Sequence, residues 1–349
     1  MATIRDVAAK ANVSRSTVSL VLNDSPLVKK ETREHVQKVI EELNYVPNNN
    51  ARSLSNKVMN SLGMIVLSEH EASRSYDFQY DTGLFSQSIL NGISQRLSDT
   101  DYNVIIEHYS PGVVGNELPK LIRSRRVDGA FIVGSMYDRD FINRMKAAGI
   151  PFVIVGAGTE ESECDSVWAD VSEGSYLSVE YLVRTGHRKI CYLNCPRTFR
   201  SNYARVSGVE RSVNAMGLDF NYDWIVNCSR ISGEGGYLAM KQLWESGARP
   251  DSMITANAPI AMGAMRYLHE QNVRVPEDIS VIAYEDNVLC GYSIPALTAV
   301  NIQKECMGET AAEVLLKRLA EPGKPWEVTK IRPYLVERDS VRSRVQQRE

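Results

Sequence analysis

Residues 4–22 read IRDVAAKANVSRSTVSLVL, and this stretch constrains the chain more than any other. Ile4, Val7, Ala8 and Ala11 fall at i, i+3, i+4 and i+7, the apolar face of a short helix. Val18, Val21 and Leu22 repeat part of that spacing after the break Asn12-Val13-Ser14. Two short helices with a tight turn between them, the second opened by polar and basic residues, follow the plan of a helix-turn-helix DNA reader. Thr3 with Asp6 three residues on forms a capping box for the first helix, and Ser14 can cap the second. Val36, Val39, Ile40 and Leu43 give a third helical face, so Val7, Ala8, Val18 and Val21 can close a mini-core with it. Pro47 and Asn48-Asn49-Asn50 end this unit, and Ala51–Asn56 reads as a linker or a short helix.

From Leu62 the texture changes. Apolar runs of four to six residues, including LGMIVL (62–67), NVIIE (103–107), GAFIVG (129–134), FVIVG (152–156), KICYL (189–193), SMIT (252–255) and ISVIAY (279–284), alternate with amphipathic stretches. These stretches lie near 84–98, 116–125, 138–148, 173–185, 203–216, 235–246, 259–271 and 304–319. Short buried strands alternating with helices indicate parallel α/β units. Their number exceeds one ordinary sheet, which predicts two lobes.

The 349 residues suit two or three folding units, with enough chain for a large core. No run of 18 apolar residues and no apolar h-region follows Met1, so the expectation is a cytoplasmic protein that does not engage a membrane. The six cysteines form no C-x-x-C pair and the five histidines are scattered, so no metal site and no cofactor is expected. Residues 1–60 hold nine Lys/Arg against six Asp/Glu, which leaves the remainder at −6 within a total of −3. A basic head on an acidic body suits a small DNA-contact surface on a regulatory domain.

Enzyme signatures are mostly absent. There is no G-x-x-x-x-G-K-[ST] loop, no G-x-S-x-G elbow and no H-E-x-x-H. His269-Glu270 begins the last of these without a second histidine, and Gly233-Glu234-Gly235-Gly236 reads as a loop before a helix. An α/β body of this kind reads as a ligand-binding module and not as an enzyme.

The residues also carry a resemblance. MATIRDVAAKANVSRSTVSLVLN, ETR (31–33), YVPNNNARSL (45–54), RVDGAF (126–131), GHRKI (186–190), AMGAM (261–265), RVPEDISVIAYED (274–286) and PALTAV (295–300) resemble, in order, the lactose/galactose repressor family over essentially the whole chain. The resemblance implies a homodimeric repressor, with an all-α helix-turn-helix headpiece on an α/β body of two Rossmann-like lobes of periplasmic-binding-protein type. The implied divisions are 1–47 for the headpiece, 48–60 for the hinge, 61–341 for the effector and dimerisation domain, and 342–349 for a tail. One lobe takes about 61–160 and 291–322, the other about 161–290 and 323–341.

The resemblance also implies site residues. Arg15 and Ser16 take base-reading positions in the major groove of double-stranded, pseudo-palindromic operator DNA, and Leu20 takes a third, with Ser14 beside them. Arg15 can bridge the O6 and N7 acceptors of guanine or, alternatively, anchor a phosphate. Thr3, Thr17, Asn23 and Tyr45 are implied backbone contacts. Arg52 and Leu54 belong to a hinge helix that forms on DNA, with Leu54 as a minor-groove wedge. In the body, Phe85, Ser135, Asn202, Arg205, Asn257 and Glu285 are implied contacts of a small-molecule effector held between the lobes. An arginine, a carboxylate and an amide around a cleft suit the hydroxyls of a sugar.

Four positions depart from the family pattern. Ile231 stands where an aromatic face is usual, Gly156 and Ala258 where Asp is common, and Glu285 where Asp is usual. The segment 68–83 is longer than usual and reads as a surface loop, although its Tyr76, Phe78 and Tyr80 could stack on a ligand. The remaining alternative is a sugar-binding protein or an enzyme on the same two lobes, and the headpiece argues against both.

Overall fold

The computed structural model describes residues 2–22, 25–45, 58–67, 76–110, 117–135, 137–156 and 164–345, with the backbone alone over 76–82. Asn23, Arg52 and Leu54 lie outside the described residues. The chain divides into two units, 1–60 and 61–349.

Among the described residues the first unit holds three helices, α1 (Ile4–Lys10), α2 (Arg15–Leu22) and α3 (Lys30–Glu42). Both halves of the Thr3–Asp6 capping box are made. The turn into α2 depends on Asn12 at φ +51, a left-handed conformation that Asn tolerates better than most side chains. Ser14 Oγ then accepts the Thr17 amide proton at 3.0 Å and caps α2. The apolar faces meet in a core of Val7, Ala8, Ala11, Val18, Val21, Val36 and Val39. Full burial of a valine side chain contributes about 1.5–3 kcal/mol, so these few residues hold the unit together.

The second unit contains two six-stranded sheets. The strands are β1 (Ser61–Leu67), β2 (Asn103–Tyr109), β3 (Gly129–Gly134), β4 (Phe152–Gly156), β5 (Asp165–Ala169), β6 (Ile190–Asn194), β7 (Ile225–Asn227), β8 (Ser252–Thr255), β9 (Ser280–Tyr284), β10 (Thr298–Asn301), β11 (Val328–Ile331) and β12 (Tyr334–Val336). Among the described residues the α-helices between them are α4 (Tyr76–Leu97), α5 (Lys120–Arg123), α6 (Arg139–Ala148), α7 (Val171–Arg184), α8 (Ser201–Met216), α9 (Gly233–Glu245), α10 (Ala258–Glu270), α11 (Val288–Tyr292) and α12 (Lys304–Ala320). The first sheet runs β11-β5-β4-β3-β1-β2 and the second β12-β10-β9-β8-β6-β7. Every pairing is parallel except that of β10 with β12.

The pairings correct the expected lobe boundaries. β5 belongs to the first sheet, because Val153 of β4 pairs with Asp165. β10 belongs to the second, because Thr298 pairs with Ile282 of β9. β11 returns to the first, because Val328 pairs with Ser166. The chain therefore crosses between sheets after β5, after β10 and between β11 and β12. Other expectations change as well. The Gly233–Gly236 segment is the first turn of α9, capped by Ser232, and not a loop. Residues 76–83, expected in a surface loop, open α4. The expected tail is tied down through Arg344, whose amide donates to the Thr185 carbonyl at 2.7 Å.

Parallel strands need both faces covered, and the central strands β3 and β9 are accordingly buried along almost their whole length. Helices α9 and α10 cover one face and touch backbone to backbone. A Cβ on Gly263 would sit 1.7 Å from the Gly233 carbonyl oxygen, so only glycine fits there. Among the described residues no helix is long and apolar enough to cross a membrane. All six cysteines are free thiols.

His187 is fully buried between Leu182 and Ser280, with Nε2 2.9 Å from Ser280 Oγ. Burial lowers its pKa. The unfolded chain therefore binds a proton more readily than the folded one, and stability is lost as pH falls below the ordinary histidine value of ~6.5. His187→Gln is expected to flatten this slope, which is at most about 1.4 kcal/mol per pH unit for one proton. Chemical denaturation at pH 5, 6 and 7.5 checks it; equal slopes for the two proteins would remove His187 as the cause.

Candidate functional site

In the first unit, α2 presents an exposed polar start. Ser14, Arg15 and Ser16 are exposed, Thr17 is half-buried, and Leu20 keeps 37% of its surface one turn on. Not every expected contact is equally free. Ser14 Oγ holds Ser16 Oγ at 2.6 Å and Thr17 Oγ1 at 2.8 Å besides capping the helix. Thr3 is engaged with Asp6, and Tyr45 packs against the mini-core. Arg15 and Leu20 are both exposed on α2.

In the second unit a cleft with about 110 Å³ of water-accessible space lies among the strand ends. Phe85, Ser135, Arg205, Asn257 and Glu285 all line it. Asn257 follows β8 and Glu285 follows β9, the carboxyl ends where open α/β sheets take ligands. Ser135 follows β3 in the other sheet, and Phe85 comes from α4. The wall between these groups is largely apolar: Leu67, Val171, Phe199, Ile231 and Ile302.

Arg205 is 3% exposed and projects from α8. Its Nη1 donates to the Ala256 carbonyl at 2.9 Å, its Nη2 reaches Glu285 Oε1 at 3.3 Å, and its guanidinium lies 4.3 Å from the Tyr284 ring centroid. Its Nε is buried without a partner among the described residues. Glu285 sits at φ +63, a conformation that costs a non-glycine residue about 1–2 kcal/mol and that gathers at functional sites. Asn257 Oδ1 accepts the Ile260 amide proton at 2.9 Å and caps α10 while lining the cleft. Burial pushes the Cys195 thiol and the Tyr284 phenol upward, so both stay neutral at the cleft.

Gly156 shapes the floor. At φ +103, a Cβ there would lie 2.8 Å from the Phe85 ring, so the glycine is what lets the ring in. Asn202 is not brought to the cleft. Its side chain donates to the Cys195 carbonyl at 2.6 Å and to Asn227 Oδ1 at 2.7 Å, which braces the loop after β6. Sequence reasoning missed Tyr284, which underlies Arg205, and the lining residues Phe199, Ser201 and Cys195. Tyr284 is the last residue of an apolar strand and reads there as core. Among the described residues no cluster of three His, Cys, Asp or Glu could hold a metal ion.

Comparison with known proteins agrees with both halves. Residues 3–48 match the bacterial regulatory proteins of the lacI family, and residues 179–341 match the periplasmic binding protein-like domain. The chain is 32% identical over 346 residues to the HTH-type transcriptional repressor PurR of Vibrio atlanticus (strain LGP32), covering 98% of this chain and 99% of that protein. Among solved structures it is similar to the Lac repressor dimer bound to operator and the anti-inducer ONPF, with TM-score 0.82, 26% identity and coverage of 98% and 99%. It is also similar to the transcriptional regulator CelR in complex with cellobiose, with TM-score 0.72, 26% identity and coverage of 97% and 100%.

A helix-turn-helix unit joined to a two-sheet ligand-binding body defines a DNA-binding transcriptional repressor. The matched families and relatives are transcriptional regulators. The chain belongs to the lacI family.

Proposed function

We propose that this protein acts in the cytoplasm as a homodimer that binds a pseudo-palindromic operator in double-stranded DNA, under the control of a small-molecule effector, a sugar, in the body cleft. The observation that carries the proposal is the convergence of Phe85, Ser135, Arg205, Asn257 and Glu285, from five segments distant in sequence, on one cleft. Arg205 and Glu285 supply donors and an acceptor for hydroxyl groups, and the apolar wall takes the ring faces. The cellobiose complex of CelR supports a sugar-like ligand.

On the DNA side, Arg15 reads a guanine, Ser16 and Leu20 read neighbouring positions, and Thr3, Ser14, Thr17, Asn23 and Tyr45 fix the register on the backbone. Arg52 and Leu54 act in the minor groove. Asn202 serves the effector site from behind, by holding the loop that carries Cys195.

Selection from random duplex DNA with the full chain tests the DNA half. Arg15→Ala is expected to relax preference at one base pair per half-site, worth about 1–3 kcal/mol, with the salt slope unchanged. A uniform loss across sequences with a salt slope lower by about 1 would make Arg15 a phosphate anchor instead. A thermal-shift panel that includes cellobiose and ribose tests the cleft half. A flat response to every sugar in such a panel would overturn the assignment of the ligand class.

A further inference from the structure

We infer that Tyr284, Glu285 and Asp286 are positioning residues that carry a change at the cleft to all three chain crossings between the sheets. The inference rests on the reading of the cleft as an effector site. Glu285 supplies the cleft end, and its contact with Arg205 at 3.3 Å is long for a charge-assisted bond, which is normally ~2.7–2.9 Å. That contact has slack, and a ligand that engages either partner can draw it in or release it.

The residues on either side of Glu285 hold the crossings. Tyr284 Oη donates to the Val171 carbonyl at 3.0 Å, on the first residue after the first crossing. The Tyr284 ring lies under Arg205, so the same phenol touches the cleft cation and the crossing. The Asp286 carbonyl accepts from Lys304 Nζ at 2.6 Å, at the end of the second crossing. The Lys304 side chain is buried, which makes this bond difficult to exchange for water. The Asp286 carboxylate takes Arg338 in a two-pronged pair at 2.8 and 3.1 Å, just past β12.

The third crossing is bound to the other two. Gln303 Nε2 donates to the Arg332 carbonyl at 2.7 Å. Asp170 donates its amide proton to the Ile331 carbonyl at 3.0 Å and pairs with Lys330 at 2.8 Å. One tripeptide at the end of β9 therefore grips two crossings directly and the third through Gln303 and Asp170. The left-handed backbone of Glu285 points its side chain and those of its neighbours to different partners, which permits this division of tasks.

The test needs no ligand. Hydrogen exchange is followed by mass spectrometry on the full chain, for the wild type, Glu285→Gln, Tyr284→Phe, Lys304→Met and, as a matched hydroxyl deletion on the surface, Tyr237→Phe. Glu285→Gln alters only the cleft end, yet it is expected to speed exchange at least ~3-fold in both 170–172 and 302–305. Tyr284→Phe and Lys304→Met are each expected to loosen the crossing that they do not touch as well as the one they do. Tyr237→Phe is expected to leave all three crossings as in the wild type. Changes confined to 284–286 in Glu285→Gln, or to the touched crossing in the other two variants, would overturn the inference. Failure of the effector reading would show separately, as a flat thermal-shift panel, whatever the exchange pattern.

Discussion

Asp165→Ala is expected to lower the folding stability of the body by about 3–5 kcal/mol, the cost of leaving a buried charge without its partner. Asp165 is fully buried on β5. It accepts from Arg318 Nε at 2.7 Å, from Arg318 Nη2 at 3.0 Å and from the Glu327 amide at 2.8 Å. Arg318, 3% exposed on α12, also donates to the carbonyls of Pro322, Lys324 and Pro325, and the Trp326 ring centroid lies 4.3 Å from it. The pair thus fastens α12, the loop after it and β5 in one network. Removing the carboxylate leaves a buried guanidinium with neutral carbonyl acceptors and no counter-charge from Asp165. Urea denaturation followed by circular dichroism measures the effect; a loss under ~1 kcal/mol would mean that the arginine finds other partners at little cost.

Arg205→Met is expected to remove the response to effector while the fold persists. The substitution keeps an unbranched side chain of similar reach, and Glu285, which is 21% exposed, can turn to water. What is lost is a charged donor set. Hydrogen bonds to a charged group contribute about 1.5–3 kcal/mol, so affinity for a stabilising sugar should fall ~10- to 150-fold. Isothermal titration of wild type and variant with that sugar reads this directly, and far-UV circular dichroism checks that the variant is folded. Equal affinities would exclude Arg205 from the ligand shell.

What could be read from the residues follows the range of the interactions involved. The capping box at Thr3 and Asp6, the cap at Ser14 and the mini-core valines are local, so spacing alone was enough for them. β1, β3 and β9 are apolar runs and are visible for that reason. β5, β10, β11 and β12 are three to five residues long and mixed in character, and their sheet membership is set by partners far away in sequence. That is why the lobe boundaries were misplaced. The five cleft residues are legible through resemblance and strand-end position, whereas the bonds of Asn202 to Cys195 and Asn227 are not, because these partners meet its side chain only in the folded chain. Tyr284 was hidden in the strand pattern, since nothing local distinguishes a core tyrosine from one beneath a cleft arginine.

The most direct test of ligand-controlled DNA binding is fluorescence anisotropy on the duplex recovered by selection, with and without a sugar that raises the melting temperature of the wild type. If the sugar controls DNA binding, it changes wild-type affinity for this duplex by about 5- to 150-fold, the usual span of coupling between two sites, and leaves Arg205→Met unchanged. Wild-type affinity for the duplex that is the same with and without a sugar that demonstrably binds would contradict such control.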